Sequence, residues 1–419
     1  MIEKELLEML LGEFRDKLQY VSIIRRNAVF PVADNKIKVA IGMRRAGKTS
    51  FLLQTIQSLL AEGIPITQIL YINFEDDRLM PLTREKCAKL IEAFYTLHPE
   101  NHDHRCYFFL DEIQMAPDWA IIIRRFHDTK NADIYLSGSS AKLLSKEIHT
   151  SLRGRSISTE IWPLSFKEFL TTRKIDHQSD LFSLKKQDQL KKYFETYLMG
   201  GGFPEVIDFD SDVRIKTLQE YIDVVIYRDI IERHGVKNTT LLKYLILFII
   251  QNSGASFSIN KFYNDVKSQG YQINKDALYD YMHYIEDAYL AFSIGLYDRS
   301  LRKVQTNPKK VYAIDPGLIN AVTLNKQYDF GRLFETVVYL DLKRQGCKVN
   351  YYLTHKRFEI DFLAQTIDGR QKLIQVCWDA SDKDTFEREE RALLAAKKEL
   401  NIEGEIITLS SYLKNGIIF

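Results

Sequence analysis

One ten-residue stretch, residues 41–50 (IGMRRAGKTS), limits the folds open to this chain more than any other feature. It fits the pattern G-x-x-x-x-G-K-[ST], a loop between a strand and a helix whose backbone N–H groups bind phosphate oxygens. Before it, Lys36 to Ile41 end in an apolar run that predicts a buried strand. After it, Thr49 to Ile56 carry apolar side chains at helical spacing. This context favours a phosphate-binding loop over a chance turn of glycine and lysine.

The residue types in the loop have separate tasks. Gly42 and Gly47 let the backbone bend so that its N–H groups point inward, and the following helix adds the positive end of its dipole. Lys48 can reach the β- and γ-phosphates, and the Thr49 hydroxyl can ligate Mg²⁺. The sequence assigns no chemical role to the side chain of Arg44. The predicted nucleotide-binding residues of the loop are Gly42, Arg45, Ala46, Gly47, Lys48, Thr49 and Ser50.

Strands and helices alternate from Lys36 to about Glu160. Three further strands are predicted, each followed by a helical stretch: Ile69–Phe74, Cys106–Leu110 and Asp133–Leu136. Continuous apolar strands that alternate with helices are typical of a parallel sheet covered on both faces. The fold class is therefore α/β, with a P-loop sheet. Ligands of such sheets bind at the carboxyl ends of the strands, where the polar clusters of this sequence fall.

Two acids end the strand Cys106–Leu110. Asp111 can hold Mg²⁺, usually through water, and Glu112 can polarise the water that attacks the γ-phosphate. Ser139 follows the next strand and can sense the γ-phosphate by a hydrogen bond. A helix N-cap is an equally good interpretation of that serine. Asp111 and Thr49 are the predicted metal ligands, and Glu112 and Lys48 are predicted catalytic residues.

Arg153 and Arg155 flank a glycine in the segment Ser151–Arg155. An arginine that approaches the γ-phosphate spreads the charge of the transition state, so both are predicted catalytic residues. The alternative is an ordinary salt bridge. An arginine supplied in trans would make the active form a homo-oligomer.

The sequence predicts four domains. Residues 1–165 form the ATPase-like core, and residues 166–236 are helix-rich and form a lid. Residues 237–328 show three helices and then two β-like segments, an order that resembles a winged helix-turn-helix. Residues 329–419 form a small α/β domain.

The motifs taken together resemble one family, the AAA-type (archaeal-type) prokaryotic ATPases with an uncharacterised C-terminal domain. The resemblance covers nearly the whole chain and implies ATP binding and hydrolysis, without implying a biological process. The motifs that carry it are Gly42–Thr49, Leu110–Gln114, Ser137–Ser140, Pro163–Phe169 and Gly201–Glu205.

The last domain resembles restriction-endonuclease-like folds. Glu335, Asp361 and Gln375 fill the positions of metal ligands in that pattern, but Cys377 stands where a lysine would position water. A neutral thiol cannot supply the positive charge, so the sequence favours an inactive domain used for packing or binding. The winged-helix region carries basic side chains that could grip phosphates, among them Lys261, Lys267, Lys275, Arg299, Arg302, Lys303, Lys309 and Lys310. It also carries acids, among them Asp265, Asp276, Asp280, Glu286 and Asp287, so it is not uniformly basic.

Composition limits the partners. Lys and Arg total 58 against 56 for Asp and Glu, and this balance argues against a chain coated by nucleic acid, although a local basic patch remains open. The four cysteines are scattered, which suits a reducing compartment. The apolar run 244–250 is too short to span a bilayer. A cytoplasmic protein without a membrane partner is expected.

The sequence thus predicts Mg²⁺-dependent ATP binding and hydrolysis that drives a conformational switch in a C-terminal unit, which binds DNA or a protein. Two alternatives remain open. One is a DNA-binding or nuclease module that nucleotide regulates, and the other is an ATP-bound scaffold that does not hydrolyse.

Overall fold

The computed structural model describes residues 2–138, 151–177, 179, 181, 183–323 and 329–417. The chain divides into two compact units, an N-terminal unit (Met1–Trp162) and a C-terminal unit (Pro163–Phe419). The predicted α/β class is confirmed. The four predicted domains are finer than this division and stay a prediction.

In the described part of the N-terminal unit, five parallel strands form one sheet in the order β2-β3-β4-β1-β5. The loop-bearing strand β1 therefore lies between β4 and β5. All five of its residues are buried, because helices cover both faces of a sheet of this kind. The strands are β1 Ile37–Ile41, β2 Ile69–Asn73, β3 Cys106–Asp111, β4 Ala132–Ser137 and β5 Ser156–Glu160.

Apolar side chains of the helices and strands of the N-terminal unit pack on this sheet. Phe14 of the first helix stacks on Tyr71 of β2, and Phe109 of β3 stacks on Tyr135 of β4, each with ring centroids 4.5 Å apart. Burial of a large apolar side chain contributes about 1.5–3 kcal/mol, so this layer fixes the strand ends that carry the polar clusters. The helices are α1 Ile2–Tyr20, α2 Lys48–Ala61, α3 Arg84–Leu97 and α4 Trp119–Thr129, with short 3-10 turns at Ile66–Gln68, Asp77–Leu79, Pro99–His102 and Ile113–Met115.

The C-terminal unit begins with a helical segment and continues as mixed structure. Its helices are α5 Phe166–Thr172, α6 Leu184–Gly200, α7 Ser211–Val224, α8 Glu232–His234, α9 Thr239–Gln251, α10 Ile259–Ser268, α11 Lys275–Asp287, α12 Leu301–Thr306, α13 Pro316–Val322, α14 Phe330–Arg344, α15 Lys383–Leu400 and α16 Leu409–Asn415. A π-helical segment, Val225–Ile231, joins α7 to α8. Across the ranges described, no helix combines the length and apolar character needed to cross a membrane.

Two sheets lie in the described part of the C-terminal unit. The first is antiparallel in the order β6-β8-β7, and the second has the order β12-β11-β10-β9 with β12 parallel to β11. The strands are β6 Ser256–Phe257, β7 Ala291–Ile294, β8 Lys309–Ala313, β9 Lys348–Leu353, β10 Glu359–Gln365, β11 Gln371–Cys377 and β12 Gly404–Thr408. The assignment of these elements to winged-helix and nuclease-like folds stays a prediction.

A buried carboxylate ties two distant segments of the C-terminal unit together. Asp315 is fully buried, and its oxygens accept the N–H groups of Gly202 (2.7 Å) and Gly317 (2.8 Å). Burial raises the pKa of Asp315 to about 7 against the opposing effect of these N–H donors. Gly201 has φ +77°, and a Cβ there would lie 2.0 Å from the Asp315 carboxylate. The motif Gly201–Glu205 therefore owes its glycines to close packing.

Candidate functional site

The predicted phosphate loop forms a tight turn at the carboxyl end of β1. Gly42 has φ +150°, and a Cβ there would lie 2.1 Å from the Ile161 carbonyl oxygen, so only glycine fits. The N–H of Ala46 donates to the Met43 carbonyl (3.3 Å), and Gly47, with φ +98°, leads directly into α2. The loop therefore meets the amino end of a helix, an arrangement that favours a bound anion.

Lys48 is buried within this loop. Its ammonium group donates to the carbonyls of Gly42 (3.2 Å) and Met43 (3.1 Å), and the residue is only 5% exposed. A buried cation beside a helix amino end places two positive charges around one small volume. An anionic ligand is the partner that compensates both.

Asp111 lies at the centre of a hydrogen-bonded cluster at the end of β3. It is 1% exposed, and its carboxylate accepts from the hydroxyls of Ser137, Thr49 and Tyr71, the last at 3.2 Å. Burial raises the pKa of Asp111, and the hydrogen bonds from Ser137 and Thr49 oppose that rise. Asp111 and Thr49, predicted separately as metal ligands, therefore touch each other.

The sequence analysis assigned no role in this cluster to two residues, Tyr71 and Ser137. Tyr71 is on β2 and Ser137 is on β4, the two strands that flank β3 in the sheet. The signal that could have identified them is strand order, because polar residues near the carboxyl ends of adjacent parallel strands converge.

Glu112 follows Asp111 in a left-handed conformation, with φ 51°. Its N–H donates to the Ser137 hydroxyl (3.3 Å), and its carboxylate accepts a hydrogen bond from the Gln114 side-chain amide. Glu75 lies near Glu112. Burial raises the pKa of Glu75, and repulsion from Glu112 raises it further. Arg44 faces Glu75 at 4.0 Å, a contact that the sequence did not predict.

Arg26 supports the loop from the segment that precedes β1. It is 7% exposed, and its guanidinium donates to the Ala46 carbonyl (2.8 Å) and to the Trp162 carbonyl. Its backbone exchanges two hydrogen bonds with the Gln54 amide (2.7 and 3.0 Å). A single buried side chain thus joins the loop to the end of β5, and sequence spacing gave no sign of it.

Comparison with known proteins agrees with this geometry. A model of an AAA domain matches residues 34–170. An uncharacterised protein of Methanocaldococcus jannaschii, MJ1544, is 34% identical over 423 residues, which span 99% of this chain and 91% of the relative. The chain belongs to this family of AAA-domain proteins. An uncharacterised protein of Haemophilus influenzae is 33% identical, over 79% of this chain and 80% of that protein.

Two further matches to the AAA-domain protein are less informative. A domain of unknown function (DUF8612) matches residues 191–329. Among solved structures, the ORC2 protein of Aeropyrum pernix in ADPNP–ADP complexes aligns over 76% of this chain and 92% of its own, at 13% identity and a TM-score of 0.35. A likeness this low transfers no binding property to the chain.

The predicted arginines of the AAA-domain protein do not reach their own loop. Arg153 and Arg155 precede β5, and β5 runs parallel to β1 with Ser156 opposite Ile37. They lie at the amino ends of the strands, whereas the phosphate loop lies at the carboxyl ends. Arg155 pairs with Asp128 at 3.1 Å. The register thus places both arginines away from the phosphate loop of the same chain, and their catalytic role, in cis or in trans, stays a prediction. Ser139 lies outside the described residues.

A second ionic cluster lies in the C-terminal unit of the AAA-domain protein. The Lys310 ammonium, whose side chain is 3% exposed, contacts carboxylate oxygens of Glu335 (2.7 Å), Glu359 (3.1 Å) and Asp361 (3.1 Å). The three acids also line an open cavity of about 640 Å³. The sequence pattern places Cys377 where a lysine is expected, and the structure brings Lys310 of β8 to the acids. The inactive domain that the sequence favours stays a prediction.

Burial sets the protonation of this cluster. It opposes the charged form of Lys310, but the three carboxylates overcome that effect and raise the lysine pKa. Burial, and then repulsion from Asp361, raises the pKa of Glu335 to about 7. Gln375 is 4% exposed, and its side-chain oxygen accepts the Asp361 N–H (3.1 Å). All three predicted ligand positions therefore meet at one place, already occupied by an internal cation.

Proposed function

We propose that the protein binds ATP together with Mg²⁺ at the phosphate loop and hydrolyses it. The observation that carries the proposal is the contact between Thr49 and Asp111 beside the buried ammonium of Lys48. Two oxygen ligands from separate elements meet next to a cation at a helix amino end, as a metal–triphosphate ligand requires.

The residues present fit Mg²⁺, which prefers oxygen ligands and is usually held by one or two carboxylates plus substrate phosphates. Thr49 and Asp111 would hold the ion, which supplies charge neutralisation for the phosphate oxygens when bound. Lys48 binds the phosphates, and the loop N–H groups orient them. Glu112 accepts a proton from the attacking water, a task that needs a carboxylate within hydrogen-bond reach.

Two substitutions test the assignment. Lys48→Ala should abolish nucleotide binding, because it removes the cation that compensates the phosphates. Glu112→Gln should keep binding but stop turnover, because an amide cannot accept the proton. Binding is measured with a fluorescent ATP analogue, and turnover is measured as phosphate release. A Glu112→Gln protein that hydrolyses at the wild-type rate contradicts the base assignment. Retained ATP without phosphate release by the wild type supports the scaffold alternative.

We further propose that nucleotide state switches a binding surface in the C-terminal unit. Between β7 and β8 the side chains of Arg299, Arg302 and Lys303 are exposed, as is that of Lys309 at the start of β8. On α11, by contrast, Asp276 and Asp280 are exposed. The basic segment suits phosphates of nucleic acid, and the acidic helix face suits a protein, so the surface supports either partner.

Phosphate release measured with and without duplex DNA distinguishes the partners. Stimulation that weakens steeply with salt indicates contacts to DNA phosphates, and an unchanged rate favours a protein partner. The same samples, incubated with plasmid and Mg²⁺, test the nuclease alternative. Cleavage that disappears in Asp361→Ala would establish it.

A further inference from the structure

We propose that Gln114 is a positioning residue that fixes the Glu112 carboxylate for activation of the attacking water. This rests on the proposed function, because it concerns how the general base is held. The direct observation is the hydrogen bond from the Gln114 side-chain amide to one oxygen of the Glu112 carboxylate. The sequence analysis assigned no role to Gln114.

The backbone around Glu112 turns Gln114 back towards it. Residues Ile113–Met115 form a 3-10 turn, and the Met115 N–H donates to the Glu112 carbonyl (3.0 Å). Ile113 and Ala116 are each 2% exposed and anchor the turn in the core. The turn therefore reverses the chain direction within two residues and brings the Gln114 side chain to the Glu112 carboxylate.

Glu112 itself is held in an uncommon conformation. A residue other than glycine keeps φ near +51° only when its surroundings hold it there, and such residues cluster at functional sites. The Ser137 hydroxyl fixes its N–H, and the Gln114 amide fixes one carboxylate oxygen. The Gln114 amide thus sets the direction of one carboxylate oxygen, and with it the orientation of the whole group.

A neutral donor suits this position because the neighbourhood is already acidic. Glu75 and Asp111 both lie close enough to Glu112 to be repelled by it. Arg44 and Lys48 attract Glu75 and oppose that repulsion. An amide can orient the carboxylate without adding charge of either sign. A glutamate at position 114 would lose the donor and add a further negative charge.

The test compares Gln114→Ala and Gln114→Glu with wild type. We expect kcat for phosphate release to fall about tenfold in Gln114→Ala, a fraction of the rate that a general base contributes. The fall should be larger in Gln114→Glu. The dissociation constant of a fluorescent ATP analogue should change less than about twofold in Gln114→Ala, since nucleotide is bound by the loop. The matched control is Met115→Ala, a half-exposed residue of the same turn, which should hydrolyse at the wild-type rate.

A double substitution shows whether Gln114 acts through Glu112. If it does, Gln114→Ala should not lower the residual single-turnover rate of Glu112→Gln further. A Gln114→Ala protein that hydrolyses at or above the wild-type rate overturns the positioning role. An equal further loss in the Glu112→Gln background also overturns it. If Glu112→Gln alone retains the wild-type rate, the assignment of Glu112 as the base fails. That result is distinguishable from a failure of the positioning role, because it appears in the single Glu112 variant.

Discussion

Replacing Lys310 with methionine should destabilise the C-terminal unit in a pH-dependent way. The substitution keeps the apolar stem and removes a positive charge that contacts three carboxylates at 2.7–3.1 Å. Breaking a buried ion pair typically costs about 3–5 kcal/mol. Glu359 is 42% exposed and water screens it, so we expect the lower end, about 3 kcal/mol, at pH 8.

The penalty should shrink at lower pH because Glu335 can take up a proton. Its pKa is raised from 4.5 to about 7, so its contribution to stability is fully present below 4.5 and is lost as the pH rises through 7. Without Lys310 the pKa rises further. A group that stays protonated only in the folded state changes the free energy of unfolding by about 1.4 kcal/mol per pH unit. Between pH 8 and pH 6 the free energy of unfolding of the variant therefore rises by about 2.7 kcal/mol, and that of wild type by about half as much. The difference between the two proteins should therefore fall to about 1.5 kcal/mol at pH 6.

Calorimetry of the full chain at both pH values measures this. About 3 kcal/mol corresponds to a lowering of the melting temperature by about 6–12 °C for a unit of this size. The matched control is Lys309→Met, an exposed neighbour whose ammonium donates to the Ser293 hydroxyl at 3.4 Å, and it should melt close to wild type. A Lys310→Met protein that melts with wild type at pH 8, or whose penalty is the same at both pH values, would refute the electrostatic account.

Two further substitutions test the close packing at Gly201 and the support that Arg26 gives to the phosphate loop. Gly201→Ala should destabilise the protein by about 3 kcal/mol or more in urea unfolding, since its φ of +77° and the 2.0 Å approach to Asp315 leave no room for a Cβ. Gly270→Ala, with φ +90° but open space, should cost only about 1 kcal/mol, and equal losses would contradict this. Arg26→Ala should weaken binding of an ATP analogue about 5- to 30-fold, the equivalent of one or two kcal/mol from its lost hydrogen bonds to the loop. The exposed neighbour Arg25 is the control, and unchanged binding in Arg26→Ala would argue against its supporting role.

The parts of the fold that the sequence predicted well are those with a local signal. The strand that leads into the loop was expected at Lys36–Ile41 and lies at Ile37–Ile41. The strand before the acid pair was expected to end at Leu110 and ends one residue later. Hydrophobic periodicity and apolar runs depend only on residues that are close in the sequence. They therefore locate these strands to within a residue or two.

The elements that were missed are short or irregular. Helix α12, Leu301–Thr306, spans fewer than two turns, and helices of that length depend on tertiary packing more than on propensity. The π-helical segment Val225–Ile231 inserts an irregular turn between two helices without a glycine or proline to mark it. Neither produces a periodic pattern long enough to detect.

The missing site residues share a different cause. Tyr71 and Ser137 contact Asp111 because their strands flank β3, and nothing in a linear sequence states which strands are neighbours. Arg26 reaches the Ala46 carbonyl from 20 residues away through a segment with no regular structure. Sequence patterns identify residues that act together when they lie together in the chain, whereas these contacts are created by topology.

The same reasoning applies to the nuclease-like pattern. Spacing along β11 places a thiol, Cys377, where a lysine is expected, so the pattern by itself supplies no cation for the acids. The cation comes instead from β8, 51 residues before Asp361, in a segment that the sequence assigned to another domain. The charge that balances a group of acids can come from any element that packs beside them, whereas a motif along one strand shows only the residues of that strand. An incomplete motif therefore shows that one strand lacks a group, and only the folded arrangement shows whether the site does.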